Sequence, residues 1–107
     1  MQYIMRFNLM PHKSEAFQDW LKKNDKLLQE GQPEGWQYLG AWFTVRNLGN
    51  YDCEMRFELD DYSALGADFG SDALQQAWGE SFDYLAPNQM ESCLMKSSED
   101  VIIMKGT

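Results

Sequence analysis

The stretch that decides the fold is Trp36-Gln-Tyr-Leu-Gly-Ala-Trp-Phe-Thr-Val-Arg46, followed by Asn47-Leu-Gly-Asn50 and then Tyr51-Asp-Cys-Glu-Met-Arg-Phe-Glu-Leu59. Two runs of aromatic and aliphatic residues around a short Asn/Gly segment predict a long β-hairpin. Residues 51–59 alternate between apolar and polar, which indicates one buried and one exposed face. Residues 36–46 are apolar on both faces, and such a strand needs cover on both sides.

The segments around the hairpin complete a β-α-β-β-α-β order. Residues 2–9 alternate as a strand, residues 14–30 have helical spacing and stop at Gly31, and a second helix is predicted from an N-cap at Ser71 to a stop before Pro87. Residues 91–96 predict another strand, and residues 101–105 either a fifth strand or its continuation past a bulge. This order is the ferredoxin-like split βαβ arrangement, with strand order 4-1-3-2 and both helices on one face. We predict a single α+β domain over residues 1–107 with an antiparallel sheet.

Composition limits the classes of partner. The chain has 107 residues and a net charge of -8, which opposes binding to nucleic acid and to anionic lipid. It contains no apolar run long enough to cross a membrane and no recognisable secretory signal, so we expect a cytoplasmic protein. The two cysteines, Cys53 and Cys93, lie in separate predicted strands without the spacing of a metal or redox pair, and we expect buried thiols.

The alternation assigns side chains to the two faces of the predicted sheet. The face beneath the helices is predicted to hold Tyr3, Met5, Phe7, Leu39, Phe43, Cys53, Met55, Phe57 and Leu59. The opposite face is predicted to hold Arg6, Asn8, Trp36, Tyr38, Trp42, Thr44, Glu54, Arg56 and Glu58. Burying a large aromatic is worth roughly 1.5 to 3 kcal/mol, so three aromatics together on an open face indicate an interface or a ligand site. The simplest cover is a second copy of the sheet, which predicts a homodimer.

The sequence resembles the dimeric α+β barrel superfamily, and within it the small antibiotic-biosynthesis-monooxygenase-like and NIPSNAP-like proteins. The resemblance covers essentially the whole chain. It rests on the element order, the aromatic hairpin, Phe17-Gln-Asp-Trp20-Leu21 in the first helix, Tyr62-Ser-Ala-Leu65, and Leu74-Gln-Gln-Ala-Trp78 ahead of the last strands. It implies a homodimer whose sheets face each other around a partly filled barrel, with a site inside that barrel or between sheet and helices.

The resemblance also implies possible chemistry. Cofactor-free oxygenases and haem-degrading enzymes of this superfamily use an asparagine on the first strand and a pocket aromatic, and here Asn8 with Trp36, Tyr38 or Trp42 occupies such positions. The helical histidine that ligates haem has no counterpart, because the only histidine, His12, lies in a predicted loop. We therefore expect no haem. We also expect no other cofactor and no metal.

Two features bear on a ligand site at the predicted open face. Gly40 removes a side chain between Tyr38 and Trp42, which leaves a gap for a flat ligand or for a ring of the partner. The charged residues Arg6, Glu54, Arg56 and Glu58 either orient a substrate or form a ladder of ion pairs between strands.

Three functional hypotheses follow from these observations. The first is a homodimer, a binding protein or an unassigned enzyme, that holds a small, partly aromatic molecule in the barrel. The residues predicted to line this site are Arg6, Asn8, Trp36, Tyr38, Trp42, Glu54 and Arg56. The second is a cofactor-independent monooxygenase in which Asn8 is the candidate catalytic residue. The third is a structural dimer whose barrel is filled by its own side chains.

Overall fold

The computed structural model describes residues 1–66 and 70–99. Four strands form one antiparallel sheet: β1 (Gln2–Leu9), β2 (Trp36–Phe43), β3 (Cys53–Leu59) and β4 (Leu85–Met95). The helical elements are α1 (Ser14–Lys23), α2 (Asp25–Glu30), a 3-10 helix (Tyr62–Gly66) and α3 (Asp72–Ser81). The strand order is β2-β3-β1-β4, which confirms the ferredoxin-like prediction. The predicted fifth strand at residues 101–105 lies outside the described residues.

Strand β3 lies inside the sheet and has the two-sided character that its sequence predicts. Its apolar side chains Met55 and Phe57 are buried, whereas Glu54 and Arg56, which alternate with them, are half-buried on the other side. We call the side of Met55 and Phe57, which packs against the helices, the inner face, and the side of Glu54 and Arg56 the outer face. β1 pairs with β3 in register, with Phe7 opposite Cys53 on the inner face and Arg6 opposite Glu54 on the outer face.

Strand β2 contains a β-bulge that changes the predicted placement of its aromatics. Tyr38 pairs with Phe57 and Gly40 pairs with Arg56, so Leu39 is an extra residue with no opposite partner. The residues before the bulge therefore lie on the other face from the one that simple alternation assigns. The prediction that Trp36 and Tyr38 share the face of Trp42 is wrong, because Trp36 and Tyr38 lie on the inner face and only Trp42 lies on the outer face. Leu39, predicted in the core, is 37% exposed.

The helices lie where the sequence predicts them, with two differences. The first predicted helix is interrupted, and the last one ends earlier than expected. The first helix is broken at Asn24, whose side-chain Nδ2 donates to the carbonyl of Trp20 at 2.9 Å. An amide that bonds the backbone in this way competes with the regular helix pattern. The Ser71 hydroxyl accepts from the backbone N–H of Leu74 at 3.1 Å, which confirms the N-cap. Helix α3 ends at Ser81, and Leu85, predicted as the last turn of that helix, instead begins β4 and pairs with Leu9.

The hydrophobic core lies between the inner face and the helices. The buried residues that form it are Phe7, Phe17, Trp20, Leu28, Tyr38, Cys53, Met55, Phe57, Leu59, Ala64, Leu74 and Ala77. An edge-to-face ring contact between Phe17 and Phe7 connects α1 to the sheet, and a tilted contact between Trp20 and Trp78 connects α1 to α3. None of the described helices is both long and apolar enough to cross a bilayer.

Both cysteines are free thiols. Cys53 is buried on the inner face of β3, and Cys93 is half-buried on β4, where it pairs with Ile4. β1 separates the two strands, as predicted. Burial raises the pKa of Cys53 to about 12, so this thiol is fully protonated at neutral pH.

Candidate functional site

A cleft of about 530 Å³ lies between the inner face of the sheet and the helices. We call it the helix–sheet cleft. The strands contribute Tyr3, Met5, Phe7, Trp36, Met55, Phe57, Leu85 and Met90; the helices and their loops contribute Phe17, Gln32, Pro33, Leu65, Gln75, Trp78, Ser81 and Phe82. Most of these side chains are apolar or aromatic, which is the usual composition of a small-molecule pocket.

The cleft is graded from a buried floor to an open rim. Met55 and Phe57 at the floor are 0% and 2% exposed, whereas Phe82 and Met90 at the rim are 63% and 44% exposed. Large apolar side chains of this kind are normally covered, so the open rim marks the direction from which a ligand or partner can enter. The cleft also exceeds the two hollows on the outer face, which measure about 320 and 400 Å³.

Aromatic rings form much of the cleft wall. The ring of Phe57 lies 5.7 Å from that of Trp36 and 6.4 Å from that of Trp78, centroid to centroid. Tyr3 meets Trp36 edge to face at 5.3 Å. Rings held at these distances form a rigid wall that offers both faces and edges to a flat guest.

The outer face is charged instead. Both oxygens of Glu54 are used: Oε1 accepts from Nε of Arg6 at 2.8 Å, and Oε2 accepts from Nε of Arg56 at 2.7 Å. The guanidinium of Arg56 also lies over the ring of Trp42, 5.1 Å from its centroid. Although partial burial pushes the pKa of Glu54 upward, the hydrogen bonds and charges of Arg6 and Arg56 hold it below its usual value. We call Arg6, Glu54, Arg56 and Trp42 the outer cluster.

Asn8 lies at the end of β1 on the same outer side. Its Oδ1 accepts from the backbone N–H of Asp52 at 2.9 Å, and its Nδ2 donates to Oε1 of Gln89 at 2.9 Å. Asp52 in turn accepts from the backbone N–H of Leu9 at 2.9 Å. These bonds connect β1 with β4 and with Asp52, the residue before β3. Both polar ends of the Asn8 amide therefore hold the strands of the sheet together.

Comparison with known proteins identifies the fold. No protein-family model matches the sequence, and no curated protein is significantly similar to it. Among solved structures, an uncharacterized NIPSNAP domain protein from Burkholderia xenovorans superposes with a TM-score of 0.62 at 19% identity, over 92% of this chain and 96% of the other. A candidate antibiotic biosynthesis monooxygenase from Bacteriodes thetaiotaomicron superposes with a TM-score of 0.58 at 13% identity, over 92% and 89%.

The chain has the ferredoxin-like α+β fold of these two proteins. At these identities the likeness establishes the architecture alone. The resemblance drawn from the sequence is thereby confirmed at the level of the fold.

Within this fold, the predicted site residues separate into two groups. Arg6, Glu54, Arg56 and Trp42 meet in the outer cluster, and Asn8 lies on the same face at the strand end. Trp36 lines the helix–sheet cleft on the opposite face. Tyr38 is only 6% exposed and packs on Phe57, and burial raises the pKa of its hydroxyl to about 12. These seven residues therefore do not form one site.

The sequence does not reveal the residues of α3 and its C-terminal end that line the cleft. Trp78, Ser81 and Phe82 fit only the amphipathic stripe of the second predicted helix. Ser81 is the one residue of the stripe that could have indicated the cleft. A small polar residue at a core position leaves space around it and needs a hydrogen-bond partner. Within residues 1–66 and 70–99, no three His, Cys, Asp or Glu side chains come together in a group that could hold a metal ion.

Proposed function

We propose that each protomer binds a small, largely apolar and partly aromatic molecule in the helix–sheet cleft. The observation that carries the proposal is the graded apolar cleft itself, with Met55 and Phe57 buried at its floor and Phe82 and Met90 exposed at its rim. A guest that covers the exposed rim removes this apolar surface from water, which stabilises the complex by about 25 cal/mol per Å² before the cost of association.

A binding test can use Nile red, a flat uncharged dye whose emission rises in apolar surroundings. Met90→Trp places a larger ring at the open rim, and we expect it to weaken dye binding about tenfold by narrowing the entrance. Met10→Trp is the matched control, because Met10 is also partly exposed, at 39%, but does not line the cleft. Circular dichroism verifies that both variants fold. Equal dye affinity in the two variants, or no binding by the natural protein, would contradict the proposal.

The monooxygenase hypothesis receives no comparable support from the position of Asn8. Both polar ends of its amide hold neighbouring strands, and the residue lies on the face opposite the cleft. A substrate bound in the cleft would therefore not meet Asn8 of the same protomer. The proposed function is binding, and it assigns no catalytic residue.

We further propose that the protein is a homodimer assembled through its outer faces. The bulge leaves one large aromatic there instead of three, but Trp42 remains 48% exposed and Met95 52% exposed around the outer cluster. Opposite charges on one face, here Arg6 and Arg56 with Glu54, can pair across a two-fold axis.

The free thiols Cys53 and Cys93 support the proposed cytoplasmic location, since reducing compartments keep cysteines unpaired.

Sedimentation equilibrium at micromolar concentration tests this assembly. We expect a dimer for the natural protein and a monomer for Trp42→Glu, because the new carboxylate would be desolvated at the centre of the interface. Leu48→Glu is the control, since Leu48 is 85% exposed in the hairpin loop. A monomeric natural protein would contradict the proposed dimer. A dimer that both substitutions leave intact would show that the outer face is not its interface.

A further inference from the structure

We infer that the ligand of the helix–sheet cleft is a neutral molecule that donates a hydrogen bond, and that the buried hydroxyl oxygen of Ser81 accepts it. The inference rests on the proposed binding function and specifies its ligand class. It follows from how the lining groups that carry a single proton are already used within the protein, which leaves the hydroxyl oxygens as the groups that can receive a ligand.

The lining groups with a single proton have given it to protein acceptors. Trp36 Nε1 donates to the carbonyl of Ala64 at 2.7 Å, and Ser81 Oγ donates to the carbonyl of Trp78 at 2.6 Å. The hydroxyl of Tyr3 donates to Oγ of Ser92 at 3.0 Å. An indole N–H has no acceptor capacity, but a hydroxyl that donates its proton keeps lone pairs. Ser81 and Tyr3 therefore face the cleft as acceptors.

Ser81 is the deepest of these acceptors. It is the one polar residue that is fully buried in the described part of the chain, at 1% exposed, and it lies in the cleft wall at the end of α3. A buried hydroxyl oxygen among apolar side chains gains more from a hydrogen bond than an exposed one, because water does not compete for it. A ligand N–H or O–H that reaches Ser81 is thus oriented as well as bound.

Two glutamines lie nearer the rim. Gln32 Nε2 donates to the carbonyl of Leu28 at 3.0 Å, and Gln75 Nε2 donates to the carbonyl of Gly70 at 3.2 Å. Each primary amide keeps a second N–H and an oxygen atom for other partners, so the two glutamines can bond either a donor or an acceptor. The preference for a donor therefore rests on the hydroxyl oxygens, and on Ser81 above all.

The cleft does not compensate an ionised ligand. Its lining in the described residues contains no Asp, Glu, Lys, Arg or His. Moving a charge into such surroundings without a partner carries a large desolvation cost. The net charge of -8 further disfavours an anion. The one buried donor without an acceptor among the described side chains, Nε1 of Trp20, does not line the cleft.

Isothermal titration calorimetry with four naphthalenes of similar shape tests the inference. 1-Naphthol is neutral and can donate, 1-methoxynaphthalene can only accept, naphthalene can do neither, and 1-naphthoate is an anion. We expect 1-naphthol to bind roughly 3- to 10-fold more tightly than 1-methoxynaphthalene, the range that one neutral hydrogen bond provides. We expect 1-naphthoate to bind at least about tenfold more weakly than 1-naphthol.

The variant Ser81→Ala tests the acceptor. It removes one oxygen atom with almost no change in volume, so naphthalene affinity should stay unchanged while the preference for 1-naphthol over 1-methoxynaphthalene is lost. Ser14→Ala is the control, because Ser14 is exposed at the start of α1 and bonds only Gln18. The panel on the natural protein decides the donor requirement even if Ser81→Ala does not fold.

The outcomes separate this inference from the proposed function. Equal binding of all four compounds, or tightest binding of 1-naphthoate, would overturn the neutral donor while leaving the cleft as a binding site. A preference for 1-naphthol that persists in folded Ser81→Ala would remove Ser81 as the acceptor. No binding of any of the four compounds would overturn both the proposed function and the inference.

Discussion

The two faces of the sheet come from the same strands, yet they use their side chains in different ways. On β3, Met55 and Phe57 contribute to an apolar surface with a cleft, while Glu54 and Arg56, one residue away, belong to a network of charges. Polar groups in the cleft wall, such as Ser81, mostly bond nearby backbone carbonyls, whereas those of the outer cluster bond one another across strands. This difference is the basis of the two proposals, ligand binding on the inner face and assembly through the outer face.

The largest expected contrast between the faces is in stability. Phe57→Ala should lower the free energy of unfolding by about 3 to 5 kcal/mol, because it removes a buried ring and leaves a cavity. Phe57 is 2% exposed and contacts the rings of Tyr3, Trp36, Tyr38 and Trp78. Urea denaturation monitored by circular dichroism measures the change.

Trp42→Ala is the matched substitution on the outer face. Trp42 is 48% exposed, so its loss should change the free energy of unfolding of the protomer by less than about 1 kcal/mol when measured under dilute conditions. Similar losses for Phe57→Ala and Trp42→Ala would show that the two faces do not differ as described.

The next largest loss of stability is expected at the bulge in β2, which determines the face of the sheet on which each aromatic of this strand lies. Gly40 has a φ of +134°, a conformation that a residue with a Cβ adopts only with strain. Gly40→Ala should therefore lower the free energy of unfolding by about 1 to 3 kcal/mol.

A second glycine provides the control for this substitution. Gly79 lies within α3, and a Cβ added there meets no atom within 4 Å. Gly79→Ala should raise the free energy of unfolding by about 0.5 to 1 kcal/mol through helix propensity. If Gly40→Ala were as stable as the natural protein in thermal melts, the bulge would not require a glycine.

A smaller effect than at the bulge is expected for the ion pairs of the outer cluster, and it depends on pH. Glu54→Gln should lower the free energy of unfolding by about 1 kcal/mol near neutral pH, because it weakens two partly exposed ion pairs. The pKa of Glu54 is lower in the folded protein than its ordinary value of 4.5, so its contribution is present above that value and is lost as the pH falls through the folded-state pKa.

Stability measured against pH tests the role of Glu54. The natural protein and Glu54→Gln should differ most above about pH 5 and converge in acid. High salt should also reduce the difference, because exposed charges are screened. A difference that grows toward low pH would contradict the direction of the pKa shift.

The sequence predicted most of the fold and only part of the arrangement of the site. β3 was predicted correctly on both faces because its strict alternation has one interpretation, and Ser71 was predicted as an N-cap by its position before an amphipathic stripe. The residue pattern of β2 does not determine its register in this way. Apolar residues on both of its sides fit either register, so a bulge at Leu39 that moves Trp36 and Tyr38 to the inner face changes nothing in the pattern.

The cleft itself could not be predicted because it depends on distances between layers. Its walls combine Trp78 and Ser81 of α3 with Tyr3 of β1 and Phe57 of β3, and the space between them is set by how the helices pack on the sheet. Hydrophobic periodicity indicates which side chains face that space but not how completely they fill it.

The central claim is that the ligand binds on the inner face of the sheet, and a crystal structure of the protein with 1-naphthol tests it most directly. We predict that the naphthol ring lies in the helix–sheet cleft against Trp78 and Phe82, with its hydroxyl within hydrogen-bond distance of Ser81 Oγ. Naphthol bound instead against Trp42 and Arg56 on the outer face, with the helix–sheet cleft empty, would contradict the account.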